Sequence, residues 1–511
     1  MPLGIQDFVK IREGAYTYVD KTAQIHRLIT SGEGAFFLSR PRRFGKSLLC
    51  STLGAIFEGQ RELFSGLAID TLEWDWKAHP VIRIDLNAGN YSEGTAILDA
   101  RLRNALKIAA TNLGLSLHGQ IASDYFENLI IDARRKFGAR VAVIIDEYDK
   151  PLLSTIGEGE LHVKMRNALK GFYGVLKSSD AHLKFVFLTG VTKFSHVSVF
   201  SDLNHIADLT LDPRYADICG LTQEEVERNF APEIEGALQN KGGERESYVA
   251  ELRRFYNGYR FSKQPLKVFN PFGLLHHFAG DGEFLPYWYE SGSPSFLVNL
   301  VVEQKINVAD LCGLHVGYDD FRKYDIETMR AEPLLYQSGY LTIADYDEEL
   351  REFTLDYPNE EVRASFAGSL LDQYFQPSPG GLKTRLSRCL LKGDADGAME
   401  ALRAFFASIP YDIIGARENY YQTAVHLIFT MLGFSCRSEV RIARGRIDTL
   451  VETKSYVYCF EFKLDGTAEG ALAQIDSKEY LLPWAGSGKK LFKVGVVFDS
   501  GKRNIGEWKV L

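Results

Sequence analysis

Ala35-Phe36-Phe37-Leu38-Ser39 has the size and apolarity of a buried strand, and it runs directly into Arg40-Pro41-Arg42-Arg43-Phe44-Gly45-Lys46-Ser47. A strand, a basic turn with glycine and then Lys-Ser is the layout of a phosphate-binding loop. Gly45 lets the backbone approach an anion, and the amides opening the next helix hold it. Lys46 reaches the terminal phosphates and Ser47 is a magnesium ligand. The nucleotide contacts expected are therefore Arg43, Phe44, Gly45, Lys46 and Ser47. Arg40 stands where the common pattern has its first glycine, which leaves the loop geometry open, while two further arginines keep the loop electropositive.

Such a loop needs an acidic residue at the end of a neighbouring apolar strand, and Val141-Ala142-Val143-Ile144-Ile145-Asp146-Glu147 supplies it. Asp146 is placed to hold magnesium through water, and Glu147 to polarise the water that attacks. Lys184 to Leu188 is a later strand ending at Thr189, a candidate sensor of the γ-phosphate. An ordinary loop after a strand accounts equally well for Thr189 and Lys193.

A second set of charges interrupts apolar strands near the C-terminus: Gly445-Arg446-Ile447-Asp448, then Cys459-Phe460-Glu461-Phe462-Lys463. Side chains alternate across a strand, so Glu461 and Lys463 share one side, while Tyr456, Tyr458, Phe460 and Phe462 form an aromatic face suited to a core. A turn at Lys454-Ser455 sets position 453 against 456 and, in the same register, Asp448 against Glu461. Lys-Ser is not a preferred two-residue turn. Carboxylates opposed in this way repel unless a cation or proton joins them. Magnesium, or manganese, held by Asp448, Glu461 and the carbonyl of Phe462 would orient a scissile phosphate and acidify a water, with Lys463 positioning that water or stabilising phosphate charge. Gln474 and Glu418 are secondary candidates on flanking helices. A surface hairpin carrying an exposed ion-pair network is the structural alternative.

The elements that must position these residues fall into three zones. In 1–219, apolar runs at Ala35 to Leu38, Val81 to Leu86, Val141 to Ile145 and Phe185 to Leu188 alternate with helix-sized stretches, which predicts an α/β domain on a mostly parallel sheet. Zone 220–410 opens on a capping box, Thr222-Gln223-Glu224-Glu225, and reads as a helical or mixed lid or connector. A strand pair is expected over 340–357, with helices over 361–374 and 398–408. Zone 411–511 reads helix, three strands, helix, strand, the αβββαβ plan of restriction-endonuclease-like folds.

The 511 residues exceed what one core organises, and 45% hydrophobic with 25% charged residues is ordinary globular composition. No run of about 18 apolar residues occurs, which argues against a membrane span. Six cysteines without a C-x-x-C pair suggest neither zinc nor disulfides and fit a reducing cytoplasm. The net charge of −8 gives no global pull toward nucleic acid, so any contact with DNA or RNA is local.

With these residues in place, the chain resembles a bacterial family that joins an AAA-ATPase-like domain to a PD-(D/E)xK nuclease domain. The matching segments include Gly4-Ile5-Gln6-Asp7-Phe8, Tyr18 to Thr22, Ser39 to Ser47, Ile145 to Pro151, Phe187 to Phe194, Leu335 to Tyr340, Gly445 to Asp448, Glu461-Phe462-Lys463 and Gln474-Ile475. The resemblance implies ATP binding through Lys46, Ser47 and Asp146. It also implies a nuclease core of Asp448, Glu461 and Lys463, with Gln474 as its helix-borne accessory. The arginine-rich loop is similar to that family's own form. Two functions are compatible: an ATP-regulated nuclease, or an ATP-dependent switch or scaffold whose nuclease-like domain only docks nucleic acid, protein partners or a second copy.

Overall fold

The computed structural model of the chain describes residues 1–193, 206–280, 282–292, 295–304, 306, 308–322, 331–374, 381–409, 418–433, 435–442 and 445–511. The side chains of residues 309–310, 320, 322, 418–420, 422, 435–442 and 445–446 also lie outside what is described, and so does the boundary expected at Tyr411. Packing divides the chain into two compact units, Met1–Trp288 with His315–Asn359, and Tyr289–Leu314 with Glu360–Leu511.

The first unit is built on a parallel sheet of β1 (Ala35–Ser39), β2 (Val81–Asp85), β3 (Val141–Asp146), β4 (Leu183–Gly190) and β5 (Ala207–Asp208), in the order β2-β3-β4-β1-β5. β1 and β3 are buried along their whole length, which is why their sequences are continuous apolar runs. Helix α1 (Phe8–Glu13) precedes the sheet, with Asp7 accepting from the Lys10 N–H as its cap. Helix α2 (Lys46–Phe57) leaves β1 through the glycine-containing loop. Helices α3 (Thr95–Asn112) and α4 (Ala122–Phe137) connect β2 to β3, and α5 (Glu160–Ser178) connects β3 to β4. Because β4 lies between β1 and β3, the loops after β1 and β3 open on one crevice at the carboxyl ends of the strands.

Beyond the sheet, α6 (Gln223–Asn229) starts at the expected capping box: Thr222 Oγ1 accepts from the Glu225 N–H and Glu225 accepts from the Thr222 N–H. Its apolar side joins a core of Leu221, Phe230, Ile234, Leu252 and Tyr256. The strand pair also forms. It adds β6 (Leu314–Gly317) beside β8 (Glu352–Asp356), which is antiparallel to β7 (Thr342–Asp347).

In the second unit the helices Glu360–Tyr374 and Ala395–Ser408 occur where periodicity placed them, and Leu382–Lys392 is a further one. Helix α7 (Glu418–Met431) leads to β9 (Ser435–Ile442), β10 (Gly445–Glu452) and β11 (Tyr456–Leu464), an antiparallel meander. Helix α8 (Ala468–Ser477) then carries the chain to β12 (Lys490–Asp499), parallel to β11, and β13 (Asn504–Val510) turns back antiparallel. The expected order is present, with β13 as an added strand on the sheet edge.

The two faces of β11 explain its sequence. Tyr458, Phe460 and Phe462 pack with Phe429, Phe492 and Phe498, ring centroids 4.8–5.7 Å apart. On the other face Val457 and Cys459 join Ile447, Leu450, Leu472 and Ile475 beneath α8, and Glu461 is the next residue in that row. The carboxylate is thus carried into apolar surroundings by the strand's own alternation.

α8 approaches β12 closely enough that a Cβ on Gly495 would lie 2.5 Å from the Ala468 carbonyl oxygen. Gly495→Ala should therefore displace α8 and lower stability by about 1–3 kcal/mol in denaturant melts. An unchanged unfolding midpoint would show that the helix does not sit this tightly.

Candidate nucleotide and nuclease sites

The loop after β1 places Arg43 (φ 66°) and Gly45 (φ 92°) in the left-handed region, with Gly45 immediately before α2. Left-handed residues in a tight loop turn successive amides toward one concavity, the geometry that cradles phosphate. Lys46 is buried, its Nζ donating to the carbonyls of Arg40 and Pro41, each at 3.1 Å, and lying 3.6 Å from Glu147. Phe44 faces inward, edge-on to Tyr259 at 4.7 Å and to Phe261 at 5.4 Å, so it offers the loop only its backbone.

Arg40 does not add charge to the loop. It is fully buried, donates to the carbonyls of Ser39, Thr210 and Tyr215, and stacks 4.3 Å over the Phe261 ring. The arginine in place of the first glycine bolts the loop to the segment after β5. Arg42 and Arg43 remain exposed, Arg43 lying over Phe272.

Asp146 ends β3 and hydrogen-bonds the Ser47 hydroxyl, so the two expected magnesium ligands are brought together. Burial, reinforced by the charge of Glu147, pushes the Asp146 carboxyl up to about 6. Glu147 takes φ 52°, a conformation that costs a non-glycine residue energy, and its N–H donates to Asp146 Oδ1. These hard oxygen donors fit a cation of the magnesium type.

Thr189 is not placed as a sensor. It is fully buried and its hydroxyl donates to the Leu38 carbonyl, a tie between β4 and β1. Lys193 pairs with Asp208 at 2.5 Å instead of reaching the loop. Asp149, unremarked in the sequence, is the residue that fixes this crevice. Wholly buried, it accepts from the Val191 and Thr192 N–H groups and from the Thr192 hydroxyl, joining the turn after β3 to the turn after β4. The signal was available as a third acidic residue in Asp146-Glu147-Tyr148-Asp149.

At the other site β10 and β11 pair Thr449 with Phe460 and Leu450 with Cys459, the register that sets 448 beside 461. The turn closes through the Thr453 N–H to the Tyr456 carbonyl, as the Lys454-Ser455 reading required. Asp448 Oδ2 accepts from the Phe462 N–H at 2.9 Å. Glu461 is 1% exposed, which decides its chemistry: one oxygen meets Lys463 Nζ at 3.1 Å, and Oε2 is buried without a hydrogen-bond partner among the described residues. Burial first, and then the charge of Asp448, pushes its carboxyl up to about 7.

Gln474 Oε1 accepts from Lys463 Nζ at 2.7 Å, so α8 does deliver it to the site. The Gln474 amide in turn donates to Tyr480, a buried residue with no sequence signal of its own. The Glu418 side chain lies outside the described residues. Among the described residues no cluster of three His, Cys, Asp or Glu forms, and the side-chain oxygens brought together here are those of Asp448, Glu461 and the Gln474 amide. An orphaned buried carboxylate oxygen beside a second carboxylate fits a divalent ion of the magnesium or manganese type.

Residues 2–200 match the family described as "Predicted AAA-ATPase", and residues 416–508 match the PD-(D/E)XK nuclease superfamily. An Azotobacter chroococcum mcd 1 protein, described as an uncharacterized protein in the vnfD 5' region, is 38% identical over 519 residues. That match covers 99% of this chain and 97% of the relative. This chain belongs to the AAA-ATPase-like family with a C-terminal PD-(D/E)XK nuclease domain. The fused architecture follows from the two matches. Among the described residues, no helix is long and apolar enough to cross a membrane, and Cys50, Cys219, Cys389 and Cys459 are free thiols.

The elevated Glu461 carboxyl makes the stability of the C-terminal domain sensitive to pH. Between the ordinary value of 4.5 and about 7, the folded chain keeps a proton that the unfolded chain has released. Stability conferred by this group is therefore complete below the ordinary value and is lost as pH rises to about 7. In EDTA, Glu461→Gln should be more stable than wild type at pH 8, on the order of 1–3 kcal/mol, and equal to it near pH 4. Equal unfolding curves at pH 8 would mean that Glu461 is not strained by its surroundings.

Proposed function

We propose that this protein binds and hydrolyses ATP at the loop 40–47 and cleaves phosphodiester bonds of DNA or RNA at Asp448, Glu461 and Lys463, with nucleotide state controlling cleavage. The observation that carries the nuclease half is Glu461: buried, with an orphaned oxygen, beside Asp448, and sharing Lys463 with Gln474. A three-zone division at 1–219, 220–410 and 411–511 assigns the ATPase, a connector and the nuclease, working in the cytoplasm.

At the nucleotide site the backbone of Arg43, Phe44 and Gly45 cradles the phosphates, and Lys46 neutralises the β- and γ-phosphates. Ser47 and Asp146 hold magnesium. Glu147, hinged beside Lys46, accepts a hydrogen bond from the attacking water and takes its proton. At the nuclease site Asp448 and Glu461 hold magnesium or manganese, which when bound polarises the scissile phosphate and acidifies water. Lys463, aimed by Gln474, donates to the attacking water or to a phosphate oxygen. Gln474 sets that aim through a hydrogen bond it can make only while α8 stays docked.

The net charge of −8 supports the other function, a nucleotide-dependent scaffold whose C-terminal domain docks partners without cutting. Incubating the full-length protein with circular DNA, linear DNA and RNA, with and without magnesium, manganese and ATP, separates the two. Cleavage confined to metal-containing reactions supports the nuclease, and binding without cleavage supports the scaffold.

Lys46→Ala should lower ATP turnover roughly 100-fold or more, because it removes the loop's buried ammonium beside Glu147, the group that neutralises the phosphates. Wild-type turnover at saturating magnesium would displace the nucleotide site from this loop. Asp448→Ala and Lys463→Ala should each abolish cleavage, with different responses to metal. Excess manganese should recover part of the Asp448→Ala activity, since that change weakens metal affinity, and none of the Lys463→Ala activity. Recovery of both to the same degree would contradict the division of roles.

A further inference from the structure

β2 is an edge strand with two unlike faces. Ile82 and Ile84 are buried, whereas Arg83 and Asp85 are exposed on the alternate side. That side opens on a cavity of about 530 Å³, whose lining also includes Asp7, Ser47 and Asp146. The cavity therefore contains both residues that hold magnesium in the nucleotide reading, with two carboxylates to which that reading gives no role: Asp7, which caps α1, and Asp85.

The register explains how Asp85 reaches this position. β2 and β3 are parallel and pair Asp85 with Asp146, and laterally paired residues of parallel strands project from the same face. Two carboxylates at the ends of adjacent paired strands repel each other. Arg83 does not relieve this. Its side chain runs back along α2, its Cδ 3.5 Å from the place a Gly54 Cβ would occupy. Asp85 itself uses one oxygen to accept from the Asn87 N–H at 2.8 Å.

Magnesium binds reluctantly to all-protein cages and keeps several of its waters. Ser47 and Asp146 together contribute two protein contacts, and the nucleotide contributes phosphate oxygens. Waters kept by an ion held there would need acceptors, and a carboxylate on the neighbouring strand at the level of Asp146 would provide one.

Resting on the nucleotide reading, we propose that Asp85 is a positioning residue for the divalent cation of the nucleotide site, accepting hydrogen bonds from water carried by the ion that Ser47 and Asp146 hold. It contributes no contact to ATP. Its charge favours the hydrated cation and disfavours phosphate on this side of the loop, which keeps the phosphates on the Lys46 side.

The test is binding, not turnover. A fluorescent, non-hydrolysable ATP analogue is titrated into the full-length protein in EDTA and at increasing magnesium. Asp85→Asn keeps the side chain's shape and its acceptor for Asn87, so the fold is retained. It should raise the magnesium concentration for half-maximal tightening by roughly ten-fold or more. Affinity for the analogue in EDTA should be unchanged, and Asp85→Glu should restore most of the magnesium response. A wild-type magnesium midpoint in Asp85→Asn overturns the proposal. So does a loss of affinity in EDTA as large as that in magnesium, which would mark a structural or nucleotide-contacting role. A wild-type protein that binds the analogue without any response to magnesium overturns the metal assignment of Ser47 and Asp146, and Asp85 with it.

Discussion

Glu461 and Asp146 are carboxylates carried by apolar strands to places where water no longer screens them, each with another carboxylate next to it. Two unit charges 4 Å apart repel by about 4 kcal/mol at the effective dielectric typical of such sites. At the second site the partly exposed Lys463 offsets only a part of this, since ion pairs in contact with water contribute about 1 kcal/mol or less. Lys463 is shared with Gln474, and Lys46 is shared with the carbonyls of Arg40 and Pro41. What the lysines leave is balanced either by a proton on the raised carboxyl or by the divalent cation proposed for each site.

The rest of the architecture serves to hold these groups against their mutual repulsion. β4 between β1 and β3 fixes the spacing of the phosphate loop and Asp146, and Asp149 ties the turns that follow β3 and β4. Arg40 anchors the same loop from below, which accounts for an arginine where a glycine is common: the loop gains three carbonyl contacts and loses one flexible residue. In the second unit the aromatic face of β11 fills the core and thereby turns Glu461 and Lys463 toward α8.

What was legible in the sequence was local and periodic. Alternation along Tyr456 to Lys463 and a two-residue turn fixed the register of Asp448 and Glu461, and a strand followed by Gly-Lys-Ser located the phosphate loop. Gln474 was legible for the same reason, one helix away from the strand it serves. What escaped depends on contacts between distant segments. Nothing near Arg40 announces that it will bond Thr210 and Tyr215, and Thr189 looks polar and catalytic until β1 supplies the Leu38 carbonyl beside it. Asp149 and Tyr480 act through partners at 191–192 and 474, and β13 buries only Ile505 fully, so its period-two signal is weak. The paired carboxylates of β2 and β3 belong to the same class, since only the sheet order makes them neighbours.

The central claim is that each site is completed by its own divalent cation, and counting bound manganese by electron paramagnetic resonance tests it most directly. The full-length protein, titrated with manganese in the presence of a non-hydrolysable ATP analogue, should bind an ion at each of two sites. Removing the analogue should eliminate one, and Asp448→Ala should eliminate the other. A count that does not respond to either change, or no tightly bound manganese at all, would contradict the account.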